Sequence, residues 1–141
     1  GHTGLGFISG LGLQAGAIAA SVAHDAHNLI VAGTNEADMA AAANCIRTMG
    51  GGSVVVRDGK VLAKMPLPYG GLMTDLDAAA AAKENAAVRE SVYALGASRR
   101  LEPFMTMAFI SLPVIPHLKL TTLGLVDVDR KQLLPLFAGQ E

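Results

Sequence analysis

Two valine-rich runs separated by a turn dipeptide constrain the fold of this chain more than any other feature. Residues 54–56 form the first run and residues 61–63 the second, with Asp58 and Gly59 between them. An Asp-Gly pair tolerates the positive φ angles of a two-residue type I′ turn, whose twist matches that of two paired strands. The pattern therefore predicts an antiparallel hairpin.

Three further segments carry helix signals, namely a residue suited to the first turn, small or apolar positions in series, and a residue that stops the helix. These segments run from an N-cap at Asn35 to Gly50, from an N-cap at Thr74 through about Leu95, and from Pro103 to Leu112. Each is long enough to cover part of a sheet.

Short apolar runs predict the remaining strands. One or two strands are expected within residues 4–22, another at residues 29–32, and a last one over residues 118–128. The order of elements then predicts an α+β fold for the single domain of residues 1–141: two layers, with a mostly antiparallel sheet and the helices packed on one face.

Composition limits the partners and the compartment. Of the 141 residues, 51% are hydrophobic, and the 11 basic and 12 acidic side chains nearly cancel. No surface for nucleic acid is expected, and no apolar stretch reaches the roughly 18 residues of a membrane span. The single cysteine, Cys45, cannot form an internal disulfide, so we expect a cytoplasmic protein.

The densest polar group of the chain lies between two apolar runs. It consists of Ser21, His24, Asp25, His27 and Asn28. Buried imidazole and carboxylate groups must be paired or hydrogen-bonded, and groups held in this way can move protons or orient a substrate. His24, Asp25 and His27 are therefore candidate catalytic residues. The same pattern also fits a turn whose Asp and Asn satisfy backbone donors, and the residues alone leave both interpretations open.

A metal site made by this chain alone is not expected. On a strand, His24 and His27 would point in opposite directions, and Cys45 is the only thiol. The glycines at positions 50–52 follow a helix and precede a strand, which is the reverse of the order that binds phosphate, so they are interpreted as a helix end.

The aromatic and methionine side chains near residue 107 allow two interpretations. Phe104, Met105, Met107 and Phe109 could line a ligand pocket, since methionine and aromatic side chains suit apolar ligands. Packing in the core is the better interpretation for these four residues.

Several motifs occur in a fixed order along the chain. They are residues 16–35 (GAIAASVAHDAHNLIVAGTN), 50–60 (GGGSVVVRDGK), 66–68 (PLP), 71–75 (GLMTD), 102–106 (EPFMT), 112–116 (LPVIP) and 118–121 (LKLT). Together they resemble the C-terminal domain of adenine deaminase, a member of the amidohydrolase superfamily of metal-dependent hydrolases. The resemblance covers nearly the whole chain.

The resemblance implies hydrolytic deamination of adenine to hypoxanthine and ammonia in purine salvage. It implies manganese or iron in the full-length enzyme, held mostly by a barrel domain whose His-x-His strand is absent here, so this fragment is expected to hold no metal and to be inactive alone. The implied partners are adenine, the barrel domain and further copies of the enzyme in a homo-oligomer.

The resemblance also implies roles for the polar group. His24, Asp25 and His27 would reach the mouth of the barrel, where they orient the substrate or close the pocket, with Ser21 and Asn28 as substrate-binding or supporting residues. A second interpretation, from the apolar composition, is a non-catalytic α+β module for assembly or for small-molecule binding.

Overall fold

A computed structural model describes residues 2–24, 27–137 and 139. Its elements are β1 (Ala17–Ala20), β2 (Ile30–Gly33), α1 (Glu36–Met49), β3 (Gly52–Arg57), β4 (Lys60–Pro66), α2 (Ala78–Ala94), α3 (Pro103–Ile110), β5 (Leu118–Thr121), β6 (Gly124–Asp127) and β7 (Gln132–Leu134). One sheet has the order β2-β1-β3-β4 and a second the order β5-β6-β7, with every pair antiparallel. The predicted α+β class and the antiparallel pairing are confirmed.

The central strands of the larger sheet are apolar on both sides. Ala17 and Ala19 of β1 lie in a cluster with Ile46 of α1, whereas Ile18 lies in a second cluster with Val88 of α2. Successive side chains of a strand point to opposite faces, so a strand that is apolar at every position needs cover on both. The helices therefore pack on both faces of this sheet, α1 on one and α2 with α3 on the other, and not on one face as predicted.

The first helix begins and ends as its sequence predicts. The side chain of Asn35 accepts a hydrogen bond of 2.8 Å from the backbone N–H of Asp38. Gly50 ends the helix at φ 77°, a left-handed conformation in which glycine meets no Cβ penalty. Gly50 and Gly51 are thus a helix end, as expected, whereas Gly52 is the first residue of β3. Asp58 and Gly59 also have the positive φ angles predicted for the hairpin turn, 51° and 72°.

The second helix begins three residues later than predicted. Asp77 is the N-cap, and its carboxylate accepts a hydrogen bond of 2.8 Å from the N–H of Ala80. Thr74 instead accepts a hydrogen bond from the N–H of Leu76 in the preceding turn. Both residues are good caps, but a carboxylate also interacts favourably with the positive end of the helix dipole.

The expectation of one strand over residues 118–128 is wrong, because the segment is a hairpin. The side chain of Thr121 accepts a hydrogen bond from the N–H of Leu123, and Gly124 has φ 121°. This local bond and the glycine reverse the chain between β5 and β6.

The opening of the chain forms one strand, which agrees with the expectation of one or two. Within residues 4–22 only β1 is a strand, because Gly10 and Gly12 adopt positive φ angles that end extended structure. The N–H of Gln14 donates to the carbonyl of Leu95, 2.8 Å away, which ties this segment to the end of α2.

A buried carboxylate joins α1 to the β3–β4 turn. Asp38 is 2% exposed and accepts hydrogen bonds from the backbone N–H groups of Asp58 and Gly59. The amide of Asn35 donates to it as well. Mainly because of the Asn35 bond, with help from Gly59, the pKa of Asp38 is lowered from its ordinary value.

We expect Ile18→Ala to lower the free energy of unfolding by about 3 kcal/mol, because Ile18 is fully buried and the surrounding side chains cannot fill the cavity. Urea unfolding of the chain measures this change. Leu123→Ala is the control, since Leu123 is 68% exposed and its loss should change stability by less than about 0.5 kcal/mol. Equal effects of the two variants would contradict the packing described above.

We expect the stability of the chain to fall between neutral and acidic pH partly through Asp38. A carboxyl group with a lowered pKa in the folded state stabilises it above about pH 4, and this contribution is lost as the pH falls through the lowered value. In Asp38→Asn, thermal unfolding should have a lower midpoint at pH 7 and a smaller difference between pH 7 and pH 3. A wild-type pH dependence in this variant would exclude the role of Asp38.

Candidate functional site

The predicted site residues lie in the connection between β1 and β2, at one end of the larger sheet. Two other connections meet there, the one from α1 to β3 and the one from β4 to α2. The strand register brings them together, because Ala20 pairs with both Ile30 and Ser53, and Gly52 pairs with Pro66. The larger sheet therefore gathers three loops at one end.

Ser21 links the three connections through backbone hydrogen bonds. Its hydroxyl accepts from the N–H of Gly52 at 2.8 Å and donates to the carbonyl of Gly71 at 2.6 Å. The backbones approach closely here, since a Cβ atom on Gly51 would collide with the Cα atom of Gly71. Ser21 thus fixes the start of the loop that carries the two histidines.

His24 is partly buried and packs on an aromatic ring of α3. Its imidazole lies against Phe109, with ring centroids 4.6 Å apart and an angle of 35° between the planes. Its Nε2 atom is buried and has no hydrogen-bond partner in the part of the chain that the structure describes. A buried polar atom without a hydrogen-bond partner lowers the stability of the fold by about 1–3 kcal/mol. In this conformation His24 therefore lacks one hydrogen bond that it could form.

The remaining members of the polar group are exposed or lie outside the described residues. His27 and Asn28 are exposed, and His27 has a left-handed backbone with φ 45°. Asp25 lies outside the described residues. The four described members therefore have different surroundings: Ser21 hydrogen-bonds to backbone, His24 packs on Phe109, and His27 and Asn28 are exposed. The functional roles assigned to these residues remain predictions.

Exposed apolar side chains lie on the β1–β2 connection that carries His24, on the β4–α2 connection that Ser21 contacts, and on α3. We call them the apolar rim: Val22, Leu29, Leu72, Met73 and Phe109. The first two flank the histidine loop, the next two adjoin Gly71, and the last contacts His24. Exposed apolar side chains on segments that meet in this way can form an interaction surface.

Comparison with known proteins decides the family. Residues 1–132 match the family model described as the adenine deaminase C-terminal domain. The chain belongs to the adenine deaminase C-terminal domain family. The resemblance inferred from the sequence motifs is thereby confirmed.

Three curated relatives carry the name adenine deaminase. The protein from Moorella thermoacetica is 51% identical over 139 residues, which cover 99% of this chain and 23% of that protein. Adenine deaminase 2 from Carboxydothermus hydrogenoformans is 51% identical, with 96% and 24% covered, and the Brucella anthropi protein is 52% identical, with 92% and 23% covered. The chain thus spans about a quarter of the length of these relatives.

The expectation that the residues near position 107 all belong to the core is only partly right. Met107 is buried, but Met105 is 51% exposed and Phe109 is 41% exposed. The spacing of these residues could have shown the difference. Met105 and Phe109 are four apart and share a face of the helix, whereas Met107, two positions from each, lies on the opposite face. What the sequence lacked was the contact between Phe109 and His24.

The described residues form no evident metal site. Within residues 2–24, 27–137 and 139, no three His, Cys, Asp or Glu side chains come close enough to share a metal ion. No helix in that part of the chain has the length and hydropathy to cross a bilayer. The described side chains on their own do not fit the manganese or iron that the resemblance implied for the full-length enzyme.

We expect Ser21→Ala to lower the free energy of unfolding by about 1–3 kcal/mol, because the Gly52 N–H and the Gly71 carbonyl both lose a partner in a partly buried place. Chemical denaturation measures this loss. The control is Thr48→Ala, which removes an exposed hydroxyl that bonds only one turn back along its own helix. Unchanged stability of Ser21→Ala would show that the hydroxyl does not hold the loops together.

Proposed function

We propose that this chain is the C-terminal domain of a larger adenine deaminase, which hydrolyses adenine to hypoxanthine and ammonia in purine salvage. The family membership and three relatives with that name support the proposal. Their greater length leaves ample chain for the domain that carries out the reaction. The part of the enzyme represented here would complete or cover the active site.

The observation that carries this role is the buried Nε2 atom of His24 without a partner. A purely structural histidine would have its ring nitrogens satisfied within the domain. We infer that Nε2 gains its partner from adenine or from the barrel domain. Neutral imidazole offers one donor and one acceptor nitrogen, and adenine presents both an amino donor and ring-nitrogen acceptors.

The conformation of the loop has a consequence for this role. Since Nε2 is covered in the domain alone, a partner can reach it only when the loop shifts. The shift would relieve the cost of the unpaired atom, and that gain adds to the affinity for the partner. Asp25 and His27 would act beside His24 at the mouth of the barrel, with Ser21 and Asn28 as supporting residues.

The apolar rim supports the docking of another domain. Its members lie on the connection that carries His24 and on two segments that contact it, and they expose large side chains to water. Burying apolar surface is the main source of affinity between domains. We propose that the barrel domain of the same enzyme covers the rim and that the loop then faces the bound purine.

The other components of the enzyme follow from the same proposal. Manganese or iron would be bound by the barrel domain, where the ion activates the attacking water. We propose further that the enzyme is a cytoplasmic homo-oligomer. The free thiol of Cys45 suits a reducing compartment.

The apolar rim also favours a second candidate, a non-catalytic module that holds subunits together. In that case the rim would be buried against another copy of the protein. Sedimentation of the full-length enzyme separates the two candidates. Rim variants that dissociate the oligomer but keep the turnover per subunit would favour assembly.

We expect His24→Gln in a full-length adenine deaminase that carries this domain to lower kcat/KM at least about 10-fold, since misplacing or removing an orienting group costs this much or more. Asp25→Ala should also lower turnover. Hypoxanthine formation from adenine measures both. Wild-type turnover in the two variants would remove the proposed role of the loop.

Two controls accompany this experiment. His117→Gln makes the same chemical change at an exposed histidine that pairs with Asp129 next to the smaller sheet, and it should leave kcat/KM within about 2-fold of wild type, as surface changes usually do. The present chain alone, supplied with manganese, should form no hypoxanthine. Deamination by the isolated chain would contradict the assignment of the reaction to the rest of the enzyme.

A further inference from the structure

We propose that Phe109 is a positioning residue for His24, and that its ring on α3 sets where the imidazole lies when the enzyme turns over. This inference rests on the proposed function of the histidine loop and extends it to another element of the fold. Phe109 does not touch the reacting atoms in this proposal. It acts only through the imidazole.

The contact joins a loop to a rigid element. The centroids of the two rings are 4.6 Å apart, and the planes are tilted by 35°. At this separation aromatic rings attract each other beyond the effect of buried area. A loop side chain alone has freedom to rotate, so a fixed ring beside it narrows the orientations that the imidazole can take.

The helix that carries Phe109 is held firmly in the domain. Met107 on the opposite side of α3 is 1% exposed and belongs to the core cluster that contains Ile18. The carboxylate of Glu102 caps the helix by accepting from the N–H of Met105 at 2.7 Å. The hydroxyl of Tyr93 on α2 donates to the carbonyl of Leu101, which precedes the helix.

The exposure of Phe109 separates positioning from core stability. The side chain is 41% exposed, whereas a residue needed only for packing would be buried like Met107. Truncating Phe109 should therefore leave the domain folded. Its large ring, kept partly in water on the same face as Met105, has an evident use as the surface on which His24 rests.

This role also fits the unpaired Nε2 atom. If the loop shifts to give Nε2 a partner, the imidazole must end in a defined place, and continued contact with a planar ring on a fixed helix restricts that place. Errors of about 1 Å in the position of such a group can lower turnover by about 100-fold. The Phe109 ring limits those errors.

The test is a set of Phe109 variants in the full-length enzyme, alone and combined with His24→Gln. Phe109→Ala should lower kcat roughly 10- to 100-fold, with KM within about 3-fold of wild type, because binding is kept and orientation is lost. Phe109→Leu should show a similar defect, since it keeps apolar bulk but no ring. Phe109→Tyr should restore most of the activity, because the aromatic ring that contacts the imidazole remains.

The matched control is Met105→Ala, which removes an exposed apolar side chain one turn earlier on the same face of α3. It should keep wild-type kcat. Thermal unfolding of each variant shows whether the enzyme is folded. Should Phe109→Ala fail to fold, the comparison of the leucine and tyrosine variants decides the question.

The double variant separates this inference from the proposed function. If Phe109 acts through His24, Phe109→Ala together with His24→Gln is no slower than His24→Gln alone. A double variant whose loss of kcat equals the product of the two single losses would overturn the positioning role while the role of His24 stands. So would a fully active Phe109→Leu, or a Met105→Ala as defective as Phe109→Ala. A fully active His24→Gln would overturn the proposed function itself.

Discussion

The structure depends on two adjacent strands, β1 and β3, that are buried on both faces. Every residue of β1 is fully buried, and residues 54–56 of β3 are as well. Because neither face of these strands tolerates water, the chain must supply a helix for each, and α1 and α2 fill these positions. The antiparallel register of these strands with β2 and β4 then brings three loops together at one end of the sheet.

The two ends of the larger sheet are closed by different polar groups. At one end Asp38 binds the backbone of the hairpin turn, and at the other Ser21 binds Gly52 and Gly71. Both side chains satisfy backbone groups that the strands leave unpaired. His24 lies only three residues beyond Ser21, yet its Nε2 atom has no such bond. The contrast between satisfied structural groups and one unsatisfied imidazole distinguishes the candidate site from the rest of the fold.

Local signals in the sequence were sufficient where neighbouring residues decide the conformation. The Asp58-Gly59 turn and the Asn35 and Gly50 ends of α1 were predicted because each depends on φ angles or on hydrogen bonds within a few residues. The choice between Thr74 and Asp77 failed because both can cap a helix. The hairpin formed by β5 and β6 was missed because a threonine hydroxyl that accepts a hydrogen bond from a nearby backbone N–H leaves no clear sequence pattern.

The sequence by itself determined the family, the antiparallel α+β class and the place in the chain where polar residues gather. These depend on motifs, on apolar periodicity and on turn residues, which the linear order contains. Only the tertiary structure decided that helices cover both faces, that Ser21 bonds to Gly71 fifty residues away, and that His24 rests on Phe109. Such contacts join distant segments, and they arise only when the packing of the whole core brings those segments together.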